Sequence, residues 1–279
     1  MFTRSARFLA VLSFAIGFCP RGAHAQDPSA SDLLKKIDET YRQISSYSVV
    51  AERKVDLDTD PGGQGYGEPN VVHTGSHESH DIQVTMMVSP SSKMKLLLKE
   101  GKKEIVVVCD GKVVWTFLPA QRTYTEAMAS SASVQTPVYV LRIGNNEISG
   151  EGLLSEYETL IATRFRSVAN SESWAKLERP ETLKVGKDRK ECYVLTIQMP
   201  GGVQKQKLWV DKTDFSVWKS VDTTLSPWNY RGGTLKTTVT MTTEQMALNP
   251  SLDDSNFVFT PPGQAKKVDS LMVSGSNPF

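Results

Sequence analysis

The chain has 279 residues, of which 39% are hydrophobic, and a formal net charge of +1 at pH 7. This is an ordinary globular composition, and a single large β domain can reach this size. We expect no nucleic-acid partner, because proteins that bind nucleic acid concentrate positive charge and this chain has almost no net charge.

The first residues resemble a secretory signal. Arg4 and Arg7 precede an apolar run over residues 8–18, which is too short to cross a bilayer as a helix. Ala23-His24-Ala25 then matches the small-x-small pattern of a cleavage site. We therefore predict a signal peptide over residues 1–25 and one mature domain over residues 26–279.

Two alternatives to this cleavage stay open. Cys19 could accept a lipid at a processed N-terminus, although Phe18 before it is bulky where lipoprotein processing favours a small residue. The apolar run could also remain as an uncleaved anchor.

An amphipathic helix follows the polar lead of the mature chain. Leu34, Ile37, Tyr41 and Ile44 lie at spacings of three, four and three, and Ser31 is the predicted N-cap. The apolar stripe of this helix needs an apolar surface to pack on, and a sheet is the only large candidate.

The centre of the sequence predicts a β-meander over residues 103–126. Two β-prone runs, 105–109 and 113–118, flank Asp110-Gly111, a pair suited to a tight hairpin turn. A second helical stripe is predicted over residues 153–161. Further strands are predicted at 46–57, 71–88, 93–99, 191–199, 203–210, 215–223, 234–243 and 257–259. The fold class is therefore mainly β (α+β), with helices packed on one antiparallel sheet.

Two cysteines remain in the mature chain, Cys109 and Cys192. An oxidising compartment would permit a disulfide between them if their Cα atoms lie within about 7 Å. Two buried free thiols on separate strands are the alternative.

The sequence contains no motif typical of an active site. It has no Gly-x-Ser-x-Gly elbow, phosphate loop, dinucleotide fingerprint or His-Glu-x-x-His. His73, His77 and His80 could share a helix face and bind a metal, but Gly75 and Ser76 favour a loop or strand with solvated histidines. We expect neither catalysis nor a cofactor, and no metal.

Tryptophan and methionine side chains are spread over the predicted strands. A packed core explains them, but a curved sheet with few covering helices could instead leave part of its apolar face for a ligand such as an acyl chain. The predicted ligand-binding residues are Met94, Leu96, Leu98, Val107, Trp115, Phe117, Leu208, Val210, Val239 and Met241. Their facing is open, because a one-residue slip inverts any strand.

Four segments resemble the LolA-type family of outer-membrane lipoprotein carriers. Cys109-Asp110-Gly111-Lys112 leading to Trp115 and Pro119 is similar to its Asp-Gly-Lys hairpin. The other three are the N-terminal helix running into Tyr47-Ser48, the strand and turn at 208–212, and the closing segment at 257–263. Together these segments span nearly the whole mature chain.

The resemblance implies a periplasmic domain built as an unclosed β-barrel. Its strongly curved antiparallel sheet would have two or three helices over the concave face. A monomer would carry acyl chains of lipoproteins or lipids from an inner-membrane release complex to an outer-membrane acceptor, without a cofactor. The alternative is a regulatory domain of the RseB/MucB type, which senses lipid or lipoprotein and binds a membrane protein. Ser89 precedes Pro90 where the carriers have an arginine that holds the lid, which leaves that part of the mechanism open.

Overall fold

The computed structural model describes residues 27–60, 75–91, 93–129, 140–143, 146–149, 174–198, 201–227, 233–269 and 271–273. Within these ranges no helix is both long enough and apolar enough to cross a bilayer. The predicted signal peptide and the predicted helix over 153–161 lie outside the described residues.

The predicted N-terminal helix is present as α1, Ala30–Arg42. Ser29, rather than Ser31, is its N-cap: the Ser29 hydroxyl accepts the Asp32 N–H at 3.1 Å, and the Asp32 carboxylate accepts the Ser29 N–H. This reciprocal capping box pairs two backbone N–H groups that would otherwise lack partners, which explains why the helix begins earlier than predicted. Leu34, Ile37 and Tyr41 are buried as expected.

The main sheet has 13 strands. The first six are β1 Tyr47–Asp60, β2 His77–Val88, β3 Met94–Glu100, β4 Lys103–Cys109, β5 Val113–Leu118 and β6 Thr123–Met128. Those after residue 170 are β9 Ala175–Leu177, β10 Glu181–Val185, β11 Asp188–Gln198, β12 Gln204–Asp211, β13 Val217–Pro227, β14 Thr234–Leu248 and β15 Lys266–Lys267. Neighbouring strands pair in the order β10-β11-β12-β13-β14-β1-β2-β3-β4-β5-β6-β15, with β9 beside β11. The pairing of β14 with β1 joins the two ends of the chain, so strands distant in sequence are neighbours at the centre of the sheet.

This architecture confirms a mainly β protein with one long, mostly antiparallel and unclosed sheet, and it differs from the prediction in four details. A separate small sheet pairs β16 (Met272–Val273), β7 (Val140–Ile143) and β8 (Asn146–Ser149). Two of the pairings, β15 with β6 and β16 with β7, are parallel. The described ranges hold one α-helix, where two or three were expected over the whole chain, and the predicted helix at 153–161 lies outside these ranges. The predicted strand at 257–259 is absent, because Asp254–Phe257 forms a 3-10 helix and residues 258 and 259 belong to no strand.

The central hairpin forms as predicted between β4 and β5. The Asp110 carboxylate oxygen Oδ1 accepts the N–H groups of Lys112 and Val113, each at 2.8 Å. Gly111 has a φ of 93°, and a Cβ atom there would lie 3.0 Å from the Ser91 carbonyl oxygen. The turn therefore needs glycine both for its backbone conformation and for the space beside Ser91.

We call the side of the main sheet on which α1 packs the helix face. One buried cluster joins α1 to this face through residues such as Leu195, Leu208 and Val210. A second buried cluster covers the same face over β1–β5 and contains Val49, Leu96 and other apolar residues. A small third cluster of Cys192, Val194 and Trp209 lies on the opposite face, because these residues alternate with Leu195 and Leu208 along their strands.

Both cysteines are free and buried, and they belong to different clusters. Burial raises the pKa of the Cys192 thiol to about 11. Of the two alternatives in the sequence, the structure has the pair of free thiols.

Candidate functional site

A pocket lies on the helix face where the C-terminal end of α1 meets strands β1, β2, β13 and β14. The space between its lining atoms amounts to about 440 Å³ when the open solvent at its mouth is included. Its lining is mainly apolar and aromatic, with a few hydroxyl groups and one cationic residue. The described lining residues are Tyr41, Tyr47, Val49, Ala51, Val84, Met86, Val217, Trp218, Lys219, Ser220, Met241 and Thr243.

The strand alternation explains why these residues converge. On β1, Tyr47, Val49 and Ala51 alternate with partly exposed residues and point to the helix face. Register then places Met86 beside Val49 and Val84 beside Ala51 on the neighbouring strand β2. Directly adjacent side chains on one face of a sheet touch, so the strands supply the apolar floor of the pocket.

Two tyrosines give the pocket a polar edge. Tyr41 is 1% exposed, and its hydroxyl oxygen accepts the Val217 N–H at 3.0 Å. The Tyr47 hydroxyl makes no hydrogen bond to any described residue. Burial raises the pKa of both tyrosines well above its ordinary value, so both hydroxyls stay protonated. The Tyr47 hydroxyl therefore has a proton that it can donate to a ligand oxygen.

Beyond the pocket, the helix face becomes polar. Arg53, 3% exposed, lies beside the pocket residue Met241 in the register of β1 and β14. Asp222 is also buried, and its Oδ1 accepts a hydrogen bond from Gln206 Nε2 at 2.8 Å. The pocket thus lies between an apolar region of the sheet and a strip with buried charged groups, an arrangement that suits an amphiphilic molecule better than a pure hydrocarbon.

Eight of the ten predicted ligand-binding residues lie on the helix face, but only Met241 is among the described pocket lining. Met94, Leu96, Leu98 and Val107 belong to the buried cluster over β1–β5, and Leu208 and Val210 belong to the cluster under α1. Val239 is half-buried beside Val55. Leu96 is 1% exposed and Leu208 is fully buried. Direct ligand contact by the residues outside the pocket stays a prediction.

Trp115 and Phe117 lie on the opposite face, so the structure does not bring them together with the other eight. Register places Thr116 beside Val107, and Val107 beside Leu96, which leaves Trp115 and Phe117 pointing away from the helix face. Both rings pack against Phe259, at centroid distances of 6.0 and 5.9 Å. The sequence left the facing of this strand open, because both of its faces are apolar and alternation cannot distinguish them.

The two described histidines, His77 and His80, contact different carboxylates. His77 Nδ1 is 2.7 Å from Asp58 Oδ1 on an exposed part of β2, whereas His80 Nδ1 is 2.7 Å from Glu100 Oε1. The second ring nitrogen of His80 lies 3.2 Å from a Glu78 oxygen. Each His80 nitrogen thus faces a different carboxylate, and no group in the described ranges could hold a metal ion. His73 lies outside those ranges.

Comparisons with known proteins find low-identity structural similarities. No protein-family model matches the sequence, and no curated protein matches it. A crystal structure of a DUF1329 family protein from Desulfovibrio piger is similar at 12% identity, covering 82% of this chain and 95% of that chain, with a TM-score of 0.27.

Two structures of MucB bound to MucA are also similar. One is from Pseudomonas aeruginosa, and each shares 12% identity with this chain. They cover 83% and 86% of this chain, with TM-scores of 0.30 and 0.31. The match spans 61% and 62% of the MucB chains. At these TM-scores the similarities carry no argument for function, and the resemblance to LolA-type carriers stays a prediction.

The sequence interpretation missed most of the pocket. The alternation of Tyr47, Val49 and Ala51 was visible, and so was Tyr41 on the helix stripe. Their meeting with Val217 and Ser220 depends on the pairing of β14 with both β1 and β13, which no local pattern reveals.

Proposed function

We propose that residues 26–279 form one periplasmic domain that binds acyl chains of lipoproteins or lipids and carries them toward the outer membrane. The observation that carries the proposal is the mainly apolar pocket between α1 and the helix face. The resemblance of the sequence to LolA-type carriers supports the location and the direction of transport. The proposal assigns no catalytic residue, no cofactor and no metal, and it expects a monomer.

The chemistry of the pocket suits an acyl chain with a polar head. Its lining is mainly apolar with a few hydroxyl groups, the composition typical of small-molecule sites. Each 100 Å² of acyl surface buried there would contribute about 2.5 kcal/mol before the costs of association. Tyr47, Ser220 and Thr243 supply hydroxyl groups at the lining, so an ester or carboxyl oxygen has donors within the same pocket.

Lipid uptake by the secreted protein tests this proposal. Native mass spectrometry should detect bound lipid, and a fluorescent fatty acid should bind and be displaced by unlabelled lipid. Ser220→Phe places an aromatic ring in the pocket, since Ser220 lines it and is 4% exposed. We expect this variant to lose at least tenfold in affinity, because the added ring occupies the ligand volume.

Ser48→Phe is the matched control. Ser48 lies on β1 between Tyr47 and Val49, so alternation points it to the face without the pocket. Its affinity should equal that of the unmodified protein. A bare polypeptide mass together with no uptake by the unmodified protein would contradict the proposal. Equal affinities of the Ser220→Phe variant and the unmodified protein would show that the ligand does not use this pocket.

The second candidate is a regulatory domain that senses lipid through the same pocket and binds a membrane protein. MucB, one of the structurally similar proteins, is in complex with MucA. A pull-down from a membrane extract separates the two functions, because recovery of one inner-membrane protein indicates regulation and recovery of many lipoproteins indicates transport.

A further inference from the structure

The β10–β11 hairpin, which we call the basic hairpin, presents three cations at the edge of the main sheet. Lys184 and Arg189 lie directly opposite each other across the strands. Lys187 is the second residue of the two-residue turn that begins with Gly186. All three cationic residues are exposed, and none forms an ion pair with a residue in the described ranges.

The basic hairpin also has exposed acids. Asp188 lies opposite Val185 and points to the other face of the sheet. Glu191 accepts a hydrogen bond from the Thr182 hydroxyl at 2.6 Å.

The β3–β4 hairpin offers a comparison within the same chain. It has the same Gly-Lys turn, at Gly101-Lys102, and both turn glycines have a φ of 57°. Its cross-strand neighbours, however, are oppositely charged. They pair as Glu100 with Lys103 and Lys99 with Glu104.

The difference between the hairpins indicates a role for the cations. Opposite charges facing each other stabilise a strand pair, whereas like charges directly opposite destabilise it. The β3–β4 hairpin follows this rule, but Lys184 and Arg189 do not. A negatively charged ligand would neutralise the repulsion between Lys184 and Arg189. Relief of this repulsion would add to the free energy of binding.

Apolar packing fixes the basic hairpin against the rest of the sheet. Leu183 packs against the buried cluster of Cys192, Val194 and Trp209 on the opposite face, and Val185 is 6% exposed. Lys184 and Arg189 alternate with these residues.

These two cations therefore lie on the helix face, with the pocket. Arg189 is six residues from Leu195, a buried residue under α1, so the cations lie about 20 Å along β11 from that core. They share a face with the pocket at a distance from it.

We infer that the basic hairpin docks this protein on the surface of an anionic lipid bilayer. This inference rests on the proposed function, because a carrier must meet a membrane with the face that bears its cargo. A bilayer fits better than a protein partner, since the tip has three cations against one acid, Asp188, and no exposed aromatic or large aliphatic anchor of the kind that protein interfaces need. Each Lys or Arg near an anionic membrane strengthens binding about fivefold.

Vesicle co-sedimentation of the full mature chain tests the inference. Vesicles of phosphatidylcholine with phosphatidylglycerol should bind the protein, and vesicles of phosphatidylcholine alone should not. Replacing the three cations together (K184Q, K187Q and R189Q) should weaken binding about 100-fold, from about fivefold for each cation. The matched control removes three lysines from the β3–β4 hairpin (K99Q, K102Q and K103Q) and should change binding less than threefold.

A single charge reversal keeps the test valid if the triple variant fails to fold. Lys184→Glu places an acid opposite Arg189, which should leave the thermal midpoint equal or higher while vesicle binding falls. Opposite effects on stability and binding are not expected of a merely structural residue.

Three results would overturn the inference. They are no binding of the unmodified protein to anionic vesicles, an equal loss of binding in the two triple variants, and capture by polyglutamate or nucleic acid without capture by vesicles. Fatty-acid uptake in vesicle-free solution separates this inference from the proposed function. Uptake should be unchanged in the triple variant K184Q, K187Q and R189Q. If the unmodified protein takes up no fatty acid, the proposed ligand binding in the pocket is refuted. Vesicle binding then still tests membrane docking by the basic hairpin.

Discussion

The hydrogen bond between Tyr41 and Val217 joins α1 to the sheet at the pocket. The residues are 176 positions apart, and the Val217 N–H donates to the Tyr41 hydroxyl over 3.0 Å. Both residues are buried, with Tyr41 at 1% and Val217 at 7% exposure. Tyr41→Phe removes the acceptor while keeping the aromatic ring in place.

The expected loss follows from the group left behind. A buried N–H without an acceptor costs about 1–3 kcal/mol, since water cannot replace the lost partner. In a protein of this size, 1 kcal/mol lowers the thermal midpoint by about 2–4 °C. Tyr41→Phe should therefore lower the midpoint by roughly 2–12 °C.

Urea unfolding followed by tryptophan fluorescence measures the change in free energy. Tyr124→Phe is the matched control, because the Tyr124 ring packs against Phe259 at 5.6 Å while its hydroxyl makes no hydrogen bond to a described residue. We expect the control to stay within about 0.5 kcal/mol of the unmodified protein. Equal unfolding midpoints for the two variants would refute the assigned role of the Tyr41 hydroxyl.

Two further predictions concern stability. Gly111→Ala should destabilise by about 1–3 kcal/mol in urea unfolding, because its φ is 93° and the new Cβ would meet the Ser91 carbonyl oxygen. Gly101→Ala, in open space, should cost less, and a reversed order would contradict the reasoning. Burial opposes ionisation of Asp211, but the Thr213 N–H and Lys190 outweigh it and lower the pKa of this carboxyl below 3.8. The stabilisation is therefore present above that value and lost in acid, so Asp211→Asn should destabilise at neutral pH but hardly below the folded-state pKa. A deficit independent of pH would contradict this.

Local patterns in the sequence were sufficient for individual elements. The spacing of Leu34, Ile37 and Tyr41 predicted α1, and Asp110-Gly111 between two β-prone runs predicted the central hairpin. These predictions succeeded because helix amphipathicity and turn chemistry depend on residues only a few positions apart. The N-cap is Ser29 and not the predicted Ser31, because Asp32 lies three residues after Ser29 and completes a capping box with it.

The facing of strands needed more than local pattern. On β5, Val114 and Leu118 point to the helix face, whereas Trp115 and Phe117 pack under Phe259 on the other. Both sets are apolar, so alternation alone gives two equal solutions. The two facings differ only in which side chains are covered by the distant segment that contains Phe259, and the tertiary fold determines where that segment lies.

By itself, the sequence determined the class of the fold, its first helix and its hairpins, because these depend on interactions between near neighbours. Only the tertiary structure decided the pocket. Its walls come from α1 and from four strands that meet because β14 pairs with β1. That pairing joins residues from 174 (Asp60 with Thr234) to 201 (Tyr47 with Leu248) positions apart. The free energy that selects it comes from burying both strands in one sheet rather than from any pattern along the chain.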